Sequence, residues 1–275
     1  LGALTTTSGS FSAASTLAVS GNLSVTTTSG GISQGGAFIV GGTSSFDAGA
    51  NAITLTNAGN DFTGAVSLTN TGANDVAVSN GLSLLTLGAV NVGGNLSVNG
   101  GGIQLTSNVT SGGAQTYYDA VTLGADLTLA TTNNGAVSFL GTLDNATATA
   151  HNLTVTSGSS AVAFGDAIGG GTNGALGALT INTSGVTSLG TVAAGSVTTD
   201  AGGATTLAGN VSTSGAQAYG DAVTLGADVT LASSGAGAIG FGSTVDGAHA
   251  LSVNTAGTTG FGGAVGGTTA LTSLT

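Results

Sequence analysis

GAQTYYDAVTLGADLTLA fills residues 113–130, and GAQAYGDAVTLGADVTLA fills residues 215–232. Within each copy, apolar residues alternate with Thr or Ala over a few positions before a Gly or Asp interrupts, as in Val121-Thr-Leu123 and Leu127-Thr-Leu129. Alternation over so few residues predicts short strands with one buried face, separated by turns. Gln115 matches Gln217, Tyr117 matches Tyr219, Asp119 matches Asp221 and Asp126 matches Asp228, each pair 102 residues apart. These residues are the markers of a long internal repeat, one copy over about 104–205 and a second, truncated, over about 206–275. The match runs on through Phe139 and Phe241, Asp144 and Asp246, His151 and His249, and Phe164 and Phe261. Its offset falls to 97, so the insertions are small and belong in turns.

A shorter period lies inside the long one. Asn22-Leu-Ser-Val25, Asn95-Leu-Ser-Val98, Asn152-Leu-Thr-Val155 and Leu251-Ser-Val253 are versions of one strand unit. Val76 and Val78 align with Leu96 and Val98 at a spacing of 20, and Leu189 aligns with Leu207 at 18. Such a unit cannot bury its own apolar side, so neighbouring units must stack. Three short strands per period of about 20 residues describe one coil of a β-solenoid, and the chain would make roughly 13 coils in a rod about 60 Å long. Pro is absent, as a ladder that needs every amide donor requires. An antiparallel meander with turns at Asn80-Gly81 and Asn99-Gly100 is the competing all-β reading, but it has no reason to keep both periods. An outer-membrane barrel needs longer strands and aromatic girdles, and only 8 Phe and 3 Tyr are present.

Composition narrows the function. The chain of 275 residues has 52 Gly, no Cys, Met, Trp, Lys or Arg, and eleven acidic residues that are all Asp, for a net charge of −11. Helix formers other than Leu and Ala are nearly missing. Without Lys or Arg, binding to nucleic acid or to an anionic membrane surface lacks its main attraction. No apolar run approaches the length of a membrane-spanning helix, so membrane insertion is not expected. No easily oxidised sulfur is present, which suits residence outside the cell. The chain reads as a piece of a longer one, since it begins at Leu1 with no signal peptide visible.

The run GNLSVTTTSGGISQGGAFIVGGTSSFDAGANAITLTNAGNDFTGAV at residues 21–66 resembles the repeat region of large filamentous-haemagglutinin-like bacterial exoproteins. The G-x-Q-x-Y-x-D-A-V-T-L-x-x-D element at 113–126 and 215–228 is similar to one in the same proteins. The resemblance implies a right-handed parallel β-helix and a secreted, cell-surface location. It also implies export by a two-partner pore or an autotransporter barrel, and a role in adhesion, biofilm matrix or sheath.

Among side chains that carry chemistry, the repeated Asp119, Asp126, Asp144, Asp221, Asp228 and Asp246 are the Ca²⁺ candidates, because Ca²⁺ takes six to eight oxygen ligands. Each also sits beside Gly, Ala or Asn, where a carboxylate caps turn amides instead, and the G-G-x-G-x-D calcium motif is missing. His151 and His249 stand alone, without the three or four converging ligands a transition metal needs. A glycosidase could use paired carboxylates alone, but no Asp cluster stands out beyond the repeat and aromatic platforms for sugars are few. Sequons occur at Asn22, Asn95, Asn108, Asn145, Asn152, Asn182 and Asn210. Thr at Val25-Thr-Thr-Thr28 and Thr205-Thr206 would make a flat hydroxyl-bearing face, as in ice-binding solenoids, although strand preference alone explains outward Thr.

The expectation is therefore an all-β, right-handed parallel β-helix over residues 1–275, one continuous solenoid segment with about 20 residues per coil. It is expected to be non-enzymatic, with no catalytic residue and no cofactor apart from the Ca²⁺ candidates. Its partners would be further copies of itself, end to end or lateral in filaments, and in a second reading a surface polysaccharide bound by one face.

Overall fold

In a computed structural model, which describes all 275 residues, the chain is built from 35 short strands and no helix. The strands pair in parallel and stack in about 13 turns of roughly 21 residues, a β-solenoid. Contacts divide the chain into two compact units, residues 1–135 and residues 136–275.

Residues 1–135 wind around three faces. Leu4–Ser8, Leu23–Thr27, Ser44–Asp47 and Val66–Thr69 stack on the first face, continued by the second half of Leu85–Val92, Val109–Ser111 and Leu127–Thr131. Phe11–Ala13, Ile32–Gln34, Ile53–Leu55, Val76–Ser79, Leu96–Asn99 and Gln115–Tyr117 stack on the second. The third begins with Leu17–Val19, Phe38–Val40 and Asp61–Phe62 and resumes with the first half of Leu85–Val92, Ile103–Leu105 and Val121–Leu123. Between Phe62 and Leu84 this ladder is bridged by the buried Asn80, whose Oδ1 accepts the Phe62 amide at 2.6 Å and whose Nδ2 donates to Leu84 O at 2.7 Å. The aligned Val76–Leu96 and Val78–Val98 pairs realise the 20-residue spacing. Asn80-Gly81 and Asn99-Gly100 lie at corners between parallel strands, not in hairpins.

Residues 136–275 are built alike. Leu153–Gly158, Leu176–Thr183, the second half of Val192–Thr199, Gln217–Tyr219, Ile239–Phe241 and Thr259–Phe261 form one face, called here the Leu153 face. Val137–Phe139, Val162–Phe164, Val186–Leu189, Ala204–Leu207, Ala222–Leu225 and Val245–Asp246 form the Val137 face. The Leu143 face runs through Ile168, the start of Val192–Thr199, Val211–Thr213, Val229–Ser233 and Ala250–Thr255. Coil length varies from 18 residues (Leu179 to Val197) to 26 (Leu153 to Leu179). The long coil carries a loop with left-handed glycines at 169, 170 and 174.

Alternate strand residues point inward, and the inward rows are mostly Leu, Val, Ile and Phe at a few per cent exposure or less, with Thr, Ser, Gln and Asn at some positions. Burying one such side chain contributes roughly 1.5–3 kcal/mol. Rings stack on rings in the same rows: Phe139 on Phe164 at 4.9 Å and Phe241 on Phe261 at 5.0 Å. These two pairs correspond in the long repeat, yet they lie on different faces. Phe139 and Phe164 belong to the Val137 face, Phe241 and Phe261 to the Leu153 face. Leu153 and its counterpart Leu251 show the same displacement, since Leu251 lies on the Leu143 face. Five coils on from Val137–Phe139 the chain is at Val245–Asp246, and Ile239–Phe241 is the strand just before it. The repeat is thus one face short of five coils.

Candidate functional site

Two of the marker residues, the Gln and the Tyr, turn inward and build the same buried assembly in both copies. Tyr117 Oη donates to Gln115 Oε1 at 2.9 Å, and Gln115 Nε2 donates to Ala130 O at 2.9 Å and Ser111 Oγ at 3.1 Å. Tyr219 donates to Gln217 Oε1 at 3.0 Å, and Gln217 Nε2 reaches Ala232 O at 2.9 Å and Thr213 Oγ1 at 3.1 Å. Both Gln and both Tyr are at most 1% exposed. Burial in an apolar interior pushes both phenols above their ordinary range. The glutamine amide ties its own strand to the preceding corner and to the next coil, and the phenol satisfies the remaining amide oxygen. Gln115, Tyr117, Gln217 and Tyr219 are therefore internal struts, closed to any ligand at the surface.

The repeated aspartates act on backbone amides of adjacent coils. Asp119 Oδ2 accepts from Gly100 N at 2.9 Å, Asp144 Oδ1 from Gly171 N at 3.0 Å, Asp228 Oδ1 from Ala250 N at 2.9 Å and Asp246 Oδ1 from Thr268 and Thr269 N at 2.8 and 3.0 Å. The two amides hold the Asp246 carboxyl below its ordinary pKa. The carboxylates of the two copies are spread along the corners, and no three His, Asp or Glu side chains converge. His249 Nδ1 lies 3.5 Å from Asp228 Oδ1 at the exposed surface. His151 takes part in the backbone, its amide donating to Asn145 Oδ1 and its carbonyl accepting from Gly177.

Asp221 differs from its counterpart Asp119. It is 1% exposed, and it accepts from Gly203 N at 2.8 Å and from Thr205 Oγ1 at 3.1 Å. Burial raises its pKa, the Gly203 amide and the Thr205 hydroxyl oppose the rise, and the nearby negative charge of Asp200 adds to it. Asp200 in turn accepts from Thr183 N at 3.0 Å. The hydroxyls of Thr187 and Thr199, buried at 0% and 3%, have no hydrogen-bond partner. A buried polar group left unpaired costs roughly 1–3 kcal/mol. Asp200, Thr187, Thr199 and Thr205 were not legible as a group in the sequence, because an inward Thr looks the same as an outward one. The signal available was their offset from Leu85, Val98 and Ile103 in the first copy.

Five of the seven sequon asparagines share another geometry. Asn22, Asn95, Asn108, Asn152 and Asn210 are exposed, each just before an inward residue, and each Oδ1 accepts a backbone amide of the next coil at 2.6–3.0 Å. Asn145 is fully buried. The alternative of a flat Thr-bearing face is not met: Thr205 and Thr27 point inward at 0% and 2% exposure, because consecutive strand residues face opposite sides.

Together, the parallel stack and the duplicated strut define a repeat β-solenoid. Residues 1–69 match the family described as repeats of unknown function (DUF5649). No curated protein and no solved structure matches the chain.

Proposed function

We propose that this solenoid is a structural segment of an extracellular fibre, matrix or sheath at a bacterial cell surface, with no catalytic role. The observation that carries the reading is the duplicated Gln–Tyr strut. The most distinctive residues of the repeat are spent inside the coil on holding one strand to the next. The Gln–Tyr tie is repeated inside the coil, where it serves the stack and not a ligand. The sequence resemblance of residues 21–66 to filamentous-haemagglutinin-like exoproteins supports the surface location and the export route. Further copies of the chain are the partners in this reading, joined end to end or laterally. Electron microscopy of material sheared from the cells tests it. Filaments of solenoid width with an axial repeat of ~4.8 Å are expected, and a purely monomeric, soluble product would overturn the fibre reading.

One observation favours a second reading, an adhesin that binds carbohydrate through one face. Tyr118 is 49% exposed and ends an outward row formed by Thr56, Ser79 and Asn99, with Ser79 Oγ donating to Asn99 Oδ1 at 3.1 Å. An aromatic face beside hydroxyl and amide groups suits a sugar ring. A glycan array with wild type and Tyr118→Ala separates the readings: the adhesin requires a defined sugar whose binding is lost in the variant.

A further inference from the structure

The two copies of the repeat allow a comparison within one chain. In residues 1–135 the inward column Leu85–Ile103–Val121 is apolar throughout, and Val98 stacks beside Tyr117. In residues 136–275 the matching column is Thr187–Thr205–Val223, and Thr199 stacks beside Tyr219. Three core hydrocarbons of the first copy are thus three threonines in the second, and they gather where Asp221 turns inward. The carboxylate is buried in a chain that has no Lys or Arg to neutralise it. Asp200, one coil earlier, adds a second negative charge and has one carboxylate oxygen bonded to the Thr183 amide. The Thr199 hydroxyl lies against the Asp221 carboxylate without closing a hydrogen bond, and the Thr187 hydroxyl, next to Thr205 in register, is unpartnered as well.

We propose that this corner is a binding site for one hard divalent cation of the Ca²⁺ class, with the Asp221 and Asp200 carboxylates as its charged ligands and the Thr199 and Thr205 hydroxyls as neutral ones. The donors are all oxygen, as Ca²⁺ requires, and backbone carbonyls of the corner or water complete its six to eight ligands. Two carboxylates match the charge of a divalent ion, which removes both the buried charge and the repulsion between the two groups. Of the six repeated aspartates, Asp221 alone meets these conditions, so the site belongs to the second copy and not to the repeat as such. The inference does not depend on whether the chain serves as a fibre or an adhesin.

The test is calcium titration of the full chain by calorimetry at neutral pH after chelator treatment, with thermal unfolding followed in parallel. One bound equivalent with Kd between about 10⁻⁵ and 10⁻³ M and a Ca²⁺-dependent rise in Tm are expected. Asp221→Asn loses the equivalent and Asp119→Asn keeps it. Asp200→Asn changes a partly exposed side chain, retains the fold and weakens binding about tenfold through loss of one ligand charge. Absence of a bound equivalent at millimolar Ca²⁺ overturns the proposal. Binding that survives in both Asp221→Asn and Asp200→Asn overturns it too, since the ion would then sit elsewhere.

Discussion

Asp221 and Tyr219 show how much a single inward polar residue sets in this fold. The Asp221 carboxyl has its pKa raised by burial, so the folded chain holds its proton more tightly than the unfolded chain does. Its contribution to stability is therefore complete below the ordinary carboxylate range and is lost as pH rises through the raised value. Asp246, with its pKa lowered, contributes in the opposite sense: its stabilisation is present above the ordinary range and lost on acidification. Denaturant unfolding in the presence of chelator should show that Asp221→Asn removes the loss that accompanies deprotonation of the buried carboxyl as pH rises, whereas Asp246→Asn removes part of the acid lability. Tyr219→Phe leaves Gln217 Oε1 without its donor in a dry interior and should cost about 1–2 kcal/mol by the same measurement. The alternating apolar residues announced their inward direction in the sequence, because a strand's period of two leaves no other reading. The inward threonines did not, since Thr is favoured on the outer face of any strand. The Gln and Tyr markers were visible as repeated residues two apart on one strand, which puts them on one face, but nothing in the spacing showed that the face was the inner one.

At the scale of strands and corners, glycine has two different roles. A Cβ on Gly93 would stand 1.9 Å from the Gly72 carbonyl oxygen one coil earlier, whereas a Cβ on Gly240 would meet nothing within 4 Å. Gly93→Ala should push the corner apart and destabilise the chain by about 2–4 kcal/mol. Gly240→Ala, in an extended strand with open space, should be neutral or stabilising by up to about 1 kcal/mol. Ala236 occupies the left-handed region at φ 59, and its counterpart Asn134, 102 residues earlier, does so at φ 56. Asn tolerates this conformation and Ala does not, so Ala236→Asn should raise stability by about 1 kcal/mol, read as a higher unfolding midpoint. Corners of this kind were the least legible part of the sequence. The Gly, Asn and Ser clusters located them, but the 26-residue coil between Leu153 and Leu179 and the loop it carries could not be separated from the 18-residue coil that follows. A parallel ladder constrains the strands and leaves corner length free.

For the molecule as a whole, a charge of −11 with no Lys or Arg means that copies repel one another at low ionic strength. If they assemble, the rate should rise with salt as the screening length falls from about 30 Å at 0.01 M to about 8 Å at 0.15 M. Light scattering across that range would show it, and assembly that weakens with salt would mean that attraction between charges holds the copies together instead. The parallel stack and its period were legible in the sequence because two nested repeats admit few other folds. The number of faces covered by each long repeat was not, since it depends on how the chain divides into corners. Within residues 136–275, the repeat ends one face short of five coils, so corresponding groups of that unit, such as Phe139 and Phe241, lie on different faces. An antibody or a cross-link specific for such a group would therefore meet the solenoid from a new side at each copy, as successive treads of a spiral stair face new directions. Lateral contacts made through equivalent positions could not all lie in one plane. They would draw neighbours into a bundle and not into a flat ribbon.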